Sequence, residues 1–308
     1  MKFRLNVGVK FKKFKHIQKD EKRVLLSTVY HELDDDKKAV LSKWSIVNVK
    51  VTLEYGNYHL HEIMDLILPE GAPRVTGFNT IGHILQLNLK EPHYPHRHLI
   101  GAILLDHVPQ ARTVVVKSDT LGAESKCENK FRILPMEIVA GEENLKTVHN
   151  EHGNGFEFDL GETYWNSRLQ EEHKIMANLI QPSSFVIDLC CGIGPFVMPI
   201  AKRGIDLLAN DLNPDSIKWL KVNLKRNLKQ SDDFKSKVAL GKAGKTKFGH
   251  VEVANQDGHD IIRSRLVELI KERPGQRIEM VMNLPGGALF FLPTFRGNST
   301  WLHNPCVT

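Results

Sequence analysis

The stretch FVIDLCCGIGPFVMPIAKR, residues 185–203, decides the fold of this chain. An apolar run that ends at Asp188 is typical of a buried strand, and a turn with Gly192 and Gly194 leads from it into a run with helical spacing. Strands then alternate with helices through IDLLAN, PDSIKWLKVNLKRNL, HVEVAN, HDIIRSRLVELIKE and RIEMVMN. This alternation predicts an α/β domain built on a parallel, doubly wound sheet.

The composition is that of a globular protein rather than a membrane protein. The 308 residues are 41% hydrophobic and 25% charged, which suits a chain of two domains or slightly more. No apolar run approaches the roughly 20 residues that a membrane-spanning helix needs, so we expect no membrane partner. A net charge of +6 and a pI near 9.0 point weakly toward an anionic partner.

The cysteines and the N-terminus bear on metal binding and compartment. Cys127, Cys190, Cys191 and Cys306 form no CxxC pair, so we expect no structural zinc, no disulfide framework and a reducing compartment. The first 19 residues hold seven Lys or Arg and no acid. They read as a mitochondrial transit peptide, a basic arm or a strand.

Three acids follow three successive strands of the predicted sheet. Asp188, Asp211 and Asp257 each stand at a carboxyl end, where parallel sheets bind ligands. Asp211 comes about 20 residues after the glycine turn, a spacing suited to ribose hydroxyls, and Asp257 could accept a bond from an adenine amino group. Leu212 and Gly258, the residues that follow them, are predicted contacts too. The alternative is a set of turns and helix caps, with Asp257 as an N-cap.

The turn itself indicates which nucleotide cofactor binds. A dinucleotide fingerprint would read GxGxxG, with a pyrophosphate on the helix N-terminus. Here Val197 takes the third glycine position, and Pro195 removes a backbone donor. A cofactor without phosphates fits better. We therefore expect S-adenosyl-L-methionine, held by Gly192, Gly194 and the three acids.

The segment VMNLP, residues 281–285, places an amide at the end of the fourth strand. In the expected strand order this strand lies beside the first, so Asn283 would face the reactive methyl group. An amide offers both a donor and an acceptor to a planar base, and Pro285 would hold the turn. The alternative is an Asn that only satisfies turn backbone.

Several motifs together resemble the archaeal and eukaryotic tRNA (guanine-37-N1)-methyltransferases, over about residues 45–296. The resemblance implies a class I (Rossmann-like) methyltransferase domain preceded by an α+β tRNA-binding domain. The motifs are TYWNSRLQEEH, DLCCGIGPF, ANDLNPDSIKWL and VMNLP, and upstream GFNTIGHILQLNL, HRHLIGAILLD, FRILPMEIVAGE and TVHNEHG.

The family's functional residues fall on positions of this chain. The resemblance implies Glu172 as the general base and Arg132 as the donor that stabilises charge on guanine O6. It implies that Tyr164, Asn283 and Pro285 frame the base and the cofactor. Guanine N1 is a poor nucleophile until a carboxylate takes its proton, and a fixed guanidinium suits the charge that develops on O6. Without the family, Glu172 would be a solvated helix residue and Arg132 an ordinary strand-face charge.

We expect three parts: a shortened N-terminal unit over 1–75, an α+β middle domain contacting tRNA over 76–160, and the methyltransferase domain over 161–308. The chain departs from the family at Cys190-Cys191, where the family has Phe-Ala. It departs again at the final NSTWLHNPCVT. We therefore expect a truncated sheet that lacks its C-terminal strands and leaves an open edge.

The leading hypothesis is a monomeric enzyme that methylates N1 of guanosine 37 in tRNA, located in the cytoplasm, nucleus or mitochondrial matrix. The alternatives are a catalytically silent tRNA-binding product and the related wybutosine-pathway aminocarboxypropyl transferase.

Overall fold

The computed structural model describes residues 33–43, 54–73, 75, 77–117, 131, 133–228 and 248–296. These fall into two compact units. The first holds the described residues before 77 together with Pro92–His96, and the second holds Gly77–Glu91 and everything from Arg97 onward. The predicted boundary near 75 stays a prediction, since the first unit also takes in Pro92–His96. The predicted boundary at 160 falls inside the second unit and stays a prediction.

The first unit contains two short helices, α1 (Asp35–Leu41) and α2 (Leu60–Ile67). The side chain of Asp34 caps α1 by accepting a hydrogen bond from the Lys37 N–H at 2.9 Å. The segment WSIVNVKVTLEYG, residues 44–56, has an alternation that predicts a strand, but it lies mostly outside the described residues.

The second unit begins with a four-stranded sheet in the order β1-β2-β3-β4, in which only β2 and β3 run parallel. The helix α3 (Arg97–His107) packs closely on this sheet, since a Cβ on Gly101 would lie 2.9 Å from the Ala140 Cβ. The strands are β1 (Phe78–Ile81), β2 (Ile84–Leu87), β3 (Thr113–Lys117) and β4 (Met136–Gly141).

A hairpin follows, formed by β5 (Lys146–Glu151) and β6 (Asn154–Asp159). Its two turn residues, His152 and Gly153, have φ values of 44° and 78°. Two successive positive φ values give the twist that matches paired strands. One face of β6 is fully buried, and Phe156 and Phe158 contribute to the same core as residues of the parallel sheet described next.

The predicted doubly wound sheet is confirmed in the order β10-β7-β8-β9, with all described pairings parallel. Every residue of β7 and β8 is buried, as a sheet covered on both faces requires. The strands are β7 (Phe185–Asp188), β8 (Leu207–Asn210), β9 (Val251–Ala254) and β10 (Ile278–Val281).

Helices cover this sheet where the periodicity predicts them. The helix predicted over 259–272 is interrupted by a π-helical segment, Ile261–Arg265. The helices are α4 (Gln170–Leu179), α5 (Val197–Lys202), α6 (Pro214–Leu228), α7 (Gly258–Asp260), α8 (Leu266–Glu272) and α9 (Leu292–Phe295). Within the described ranges, no helix has the length and apolar character needed to cross a membrane.

Two asparagines of α6 bind the hairpin through its backbone. The Asn223 amide, 0% exposed, accepts from the Glu157 N–H at 2.7 Å and donates to the carbonyls of Glu157 and Ile193 at 3.1 and 3.2 Å. One turn later, Asn227 makes the same paired contact with the N–H and carbonyl of Gly155, both at 3.0 Å. These amides satisfy the backbone of β6 as a neighbouring strand would.

We expect Asn223→Ala to destabilise the chain more than Asn227→Ala. The first change strands three backbone groups in a dry environment, at about 1–3 kcal/mol for an unsatisfied buried group, whereas half-buried Asn227 can be replaced by water. Urea unfolding followed by circular dichroism gives both free energies of unfolding. Equal losses would show that burial of the clamp does not matter.

Candidate active site

The glycine turn after β7 leaves room for a ligand at one of its two glycines. Gly192 and Gly194 have φ values of 53° and 100°, which favour glycine. A Cβ on Gly194 would lie 2.7 Å from Leu220 Cδ1, so this glycine lets the turn pack on α6. A Cβ on Gly192 would meet nothing within 4 Å. The open space at Gly192 is therefore available to a cofactor.

Asp211, at the end of β8, is tied to that turn. Its Oδ2 accepts from the Gly192 N–H and its Oδ1 from the Asn213 N–H, each at 2.8 Å. Burial raises the pKa of Asp211, and these backbone donors partly oppose the rise. Each carboxylate oxygen has a second lone pair, so ribose hydroxyls could still bind. The buried Asn210 joins the neighbouring strand ends, donating to Leu189 and Gln256 carbonyls at 3.1 and 3.0 Å.

Asp188, at the end of β7, is the most isolated charge-bearing group of the site. It is 0% exposed, and neither carboxylate oxygen has a well-formed hydrogen bond from the residues that the structure describes. Burial raises the pKa of Asp188 to about 8, the nearby Asp211 adds to the rise, and the Cys190 N–H opposes it. A buried acid without a partner is costly. A cationic ligand in the crevice would relieve that cost.

The third predicted acid serves a local structural role. Asp257 is the N-cap of α7 and accepts from the His259 N–H at 2.8 Å, which is the alternative that the sequence left open. A Cβ on Gly258 would lie 2.7 Å from the Phe291 ring, so this glycine allows the ring to pack there. The Leu212 carbonyl accepts from the Asn255 amide at 3.1 Å. Adenosine contacts by these three residues stay predictions.

A cleft of about 290 Å³ lies between α4 and the end of β10. It brings together Glu172 and Asn283, which are separated by more than a hundred positions in sequence. Its other lining residues are apolar: Leu169, Met176, Phe196, Met280, Val281 and Met282. An acid and an amide in an otherwise apolar cleft can contact the polar edge of a flat base while its faces pack against hydrocarbon.

Asn283 directly precedes a tight turn that backbone hydrogen bonds stabilise. The Leu284 carbonyl accepts from the N–H groups of Gly287 and Ala288, both at 2.8 Å, and the Leu284 N–H donates to Met282. Pro285 is exposed in this turn. Among the described residues the Asn283 side chain makes no hydrogen bond. The alternative that Asn283 only satisfies the backbone of the turn therefore does not account for it, and its amide oxygen and NH2 group are both available to a ligand.

Glu172 lies on the exposed side of α4. Its neighbour Glu171 pairs with His152 at 3.2 Å, whereas Glu172 has no ion pair or hydrogen bond within the described part of the chain. The Glu172 carboxylate is thus solvated and free to receive a proton from a ligand in the cleft.

Two predicted residues that the structure describes, Tyr164 and Pro285, do not line this cleft. Arg132 lies outside the described residues. Tyr164 is 38% exposed and does not line the cleft, while the next residue, Trp165, is buried in the core. Phe196 lines the cleft and was not predicted, although its place directly after the glycine turn could have indicated it. In the described ranges no group of His, Cys, Asp and Glu has the arrangement of a metal site.

The high pKa of Asp188 predicts a stability that falls with pH. Between its unfolded pKa of 3.8 and its folded pKa of about 8, the folded chain keeps a proton that the unfolded chain has lost. Unfolding therefore becomes easier as the pH rises through this window, by up to about 1.4 kcal/mol per pH unit. Above pH 8 the contribution no longer changes.

Asp188→Asn removes this titration. From pH 5 to pH 8 we therefore expect the free energy of unfolding of the wild type to fall relative to that of the variant. Denaturant unfolding of the ligand-free proteins at several pH values measures it. A difference that stays constant over this range would contradict the assignment.

Comparisons with known proteins agree with this architecture. A sequence model of the TRM5/TYW2 methyltransferase domain matches residues 147–237, and one of the TYW2 N-terminal domain matches residues 60–144. A tRNA (guanine(37)-N(1))-methyltransferase of Ciona intestinalis is 38% identical over 274 residues, which are 88% of this chain and 54% of that protein. The chain spans about half the length of the curated relatives it matches.

Two solved structures show the same fold. Trm5b from Pyrococcus abyssi is 21% identical with a TM-score of 0.56, over 86% of this chain and 69% of that one. Methanocaldococcus jannaschii Trm5 in complex with adenosine is 19% identical with a TM-score of 0.53, over 97% and 76%. The predicted fold class and family are both confirmed: the chain belongs to the TRM5/TYW2 methyltransferase family.

Proposed function

We propose that this chain transfers a methyl group from S-adenosyl-L-methionine to N1 of guanosine 37 in tRNA, beside the anticodon. The observation that carries the proposal is a cleft lined by both the Glu172 carboxylate and the Asn283 amide, neither of which is paired with a described residue. That space adjoins the end of β10, which pairs with β7 and its glycine turn. The relatives that bear the name tRNA (guanine(37)-N(1))-methyltransferase support the choice of substrate.

The residues around the glycine turn fit S-adenosylmethionine. Its bound form would supply an electrophilic methyl group on a positively charged sulfur. Asp188 and Asp211 give the crevice two acids, and within the described part of the chain neither oxygen of Asp188 has a well-formed hydrogen bond. Gly192 leaves open space, and Asp211 keeps lone pairs for ribose hydroxyls. The adenosine bound by the archaeal neighbour in its solved structure supports a nucleoside in this crevice.

Glu172 acts as the general base in this proposal. Its carboxylate accepts the N1 proton, which makes N1 a nucleophile. Asn283 holds the Watson–Crick edge through its donor and acceptor, and the turn that contains Pro285 keeps the amide in place. The apolar wall that includes Phe196 and Met176 excludes water from the base.

Arg132 and Tyr164 complete the proposal on the strength of the family resemblance. Arg132 stabilises the negative charge that moves onto O6 as N1 loses its proton, and Tyr164 frames the base. Since a base inside a stacked loop cannot reach a cleft of this kind, guanosine 37 leaves its stack to enter. The middle sheet and the net positive charge hold the tRNA backbone. We propose a monomer that acts in the cytoplasm, nucleus or mitochondrial matrix.

We expect Glu172→Gln to lower the turnover number by about 10²–10⁴-fold, because the amide cannot take the N1 proton. Cofactor affinity, measured by calorimetric titration, should stay unchanged. Glu171→Gln is the matched control, since it removes the neighbouring charge on the exposed helix and should keep near-normal turnover. A Glu172→Gln enzyme with full turnover would remove this residue as the base.

The position of the target is tested with tRNA transcripts that carry guanosine or adenosine at position 37. Only the guanosine transcript should accept labelled methyl groups, because the proton that Glu172 removes exists on guanine N1 and not on adenine N1. Equal labelling of both transcripts would overturn the positional claim.

A second candidate function has one observation in its favour: residues 60–144 match the TYW2 N-terminal domain. The related wybutosine-pathway aminocarboxypropyl transferase would move a larger group of the same cofactor to the same tRNA region. Mass spectrometry of the modified nucleoside decides, since an added methyl group supports the first function and an added aminocarboxypropyl group the second.

A further inference from the structure

A buried hydrogen-bonded pair includes the residue that follows the proposed base in the sequence. Glu151, at the end of β5, and His173, on α4, are 3% and 4% exposed, and Glu151 Oε2 lies 3.0 Å from His173 Nδ1. A carboxylate oxygen can only accept, so the imidazole donates. His173 is the residue next to Glu172 in sequence. The pair thus connects the hairpin to the helix turn that carries the base.

His173 is the main anchor of the first half of α4. The buried residues of this helix are His173 and Ala177, and the residues between them are exposed. The His173 ring also contacts the Phe196 ring in an edge-to-face arrangement, with ring centroids 4.8 Å apart. Since Phe196 lines the cleft, His173 touches both the hairpin and the cleft wall.

Glu172 depends on this anchor because it has none of its own. Its side chain makes no hydrogen bond or ion pair with the described residues, so its direction follows from the rotation of α4. Rotating a helix about its axis swings neighbouring side chains together. A small misplacement of a reacting group can cost about 10²-fold in rate.

The pair is also costly, which argues against a role in packing alone. Burying a carboxylate is unfavourable unless its partners are well placed. Glu151 Oε1 lies 3.9 Å from His149 Nε2 and has no hydrogen bond from the residues that the structure describes, and the same residues offer none to the buried Trp165 Nε1. An apolar pair of similar volume would often be as stable.

We propose that Glu151 and His173 are positioning residues that fix the rotation of α4 and so direct the Glu172 carboxylate into the cleft. The inference rests on the proposed role of Glu172 as the base. It predicts that the pair contributes to turnover only through Glu172.

A double-mutant cycle tests this in the full chain, with tRNA transcript and S-adenosylmethionine at saturation. His173→Leu and Glu151→Ala should each lower the turnover number by about 10- to 100-fold, with the KM for tRNA and the cofactor affinity unchanged. His173→Asn, whose amide can donate from the position of Nδ1, should recover most of the loss. His152→Ala is the control, since it removes an exposed contact with the Gln170 carbonyl of the same helix at 3.2 Å and should have little effect.

The decisive variants combine each change with Glu172→Gln. If the pair acts through the base, the double variants turn over no more slowly than Glu172→Gln alone. Multiplied losses, or a fall in cofactor affinity, would overturn the inference. If His173→Leu fails to fold, Glu151→Ala carries the same comparison. Full activity of Glu172→Gln would instead reject the proposed base, so the two failures are distinguishable.

Discussion

The parallel pairing of β10 with β7 is the constraint on which the rest of the site depends. Its register sets Val281 beside Asp188, so the residues that follow both strands leave the sheet at the same edge. Asn283 and the glycine turn are therefore neighbours, although about ninety residues separate them along the chain. A shift by one residue would turn every side chain of β10 to the opposite face and would remove the amide from the cleft.

Charge is distributed unevenly around this edge. The cofactor side holds Asp188 and Asp211, both with raised pKa values because they are buried. The cleft side holds one solvated acid, Glu172, in an apolar wall. Asp188 and Asp211 resist ionisation, so a cationic ligand beside them would be favoured. The exposed Glu172 stands on the other side, where the proposed methyl transfer needs a group that takes a proton.

Local patterns predicted the strands and helices of the parallel sheet, including the helix Pro214–Leu228, because apolar periodicity and proline at a helix start are short-range signals. The expected place of the fourth strand beside the first agrees with the structure. The role of Glu172 in the site came from the family resemblance and not from a local pattern. Local patterns could not decide whether Asp257 is a helix cap or a ligand contact, because a carboxylate directly before a helix can be either. Asn223 and His173 look like solvated helix residues in the sequence, and their partners, the Glu157 backbone and the buried Glu151 side chain, come from a distant hairpin. Pairings of that kind follow from tertiary structure alone.

The central claim is that one cleft presents Glu172 and Asn283 to the same base. A crystal structure of the chain with S-adenosylhomocysteine and an anticodon stem-loop carrying guanosine 37 tests it most directly. The account predicts a Glu172 carboxylate oxygen within about 2.6–3.2 Å of guanine N1 and the Asn283 amide bonded to the same edge. A guanine bound elsewhere, with the Glu172 carboxylate directed into solvent, would contradict it.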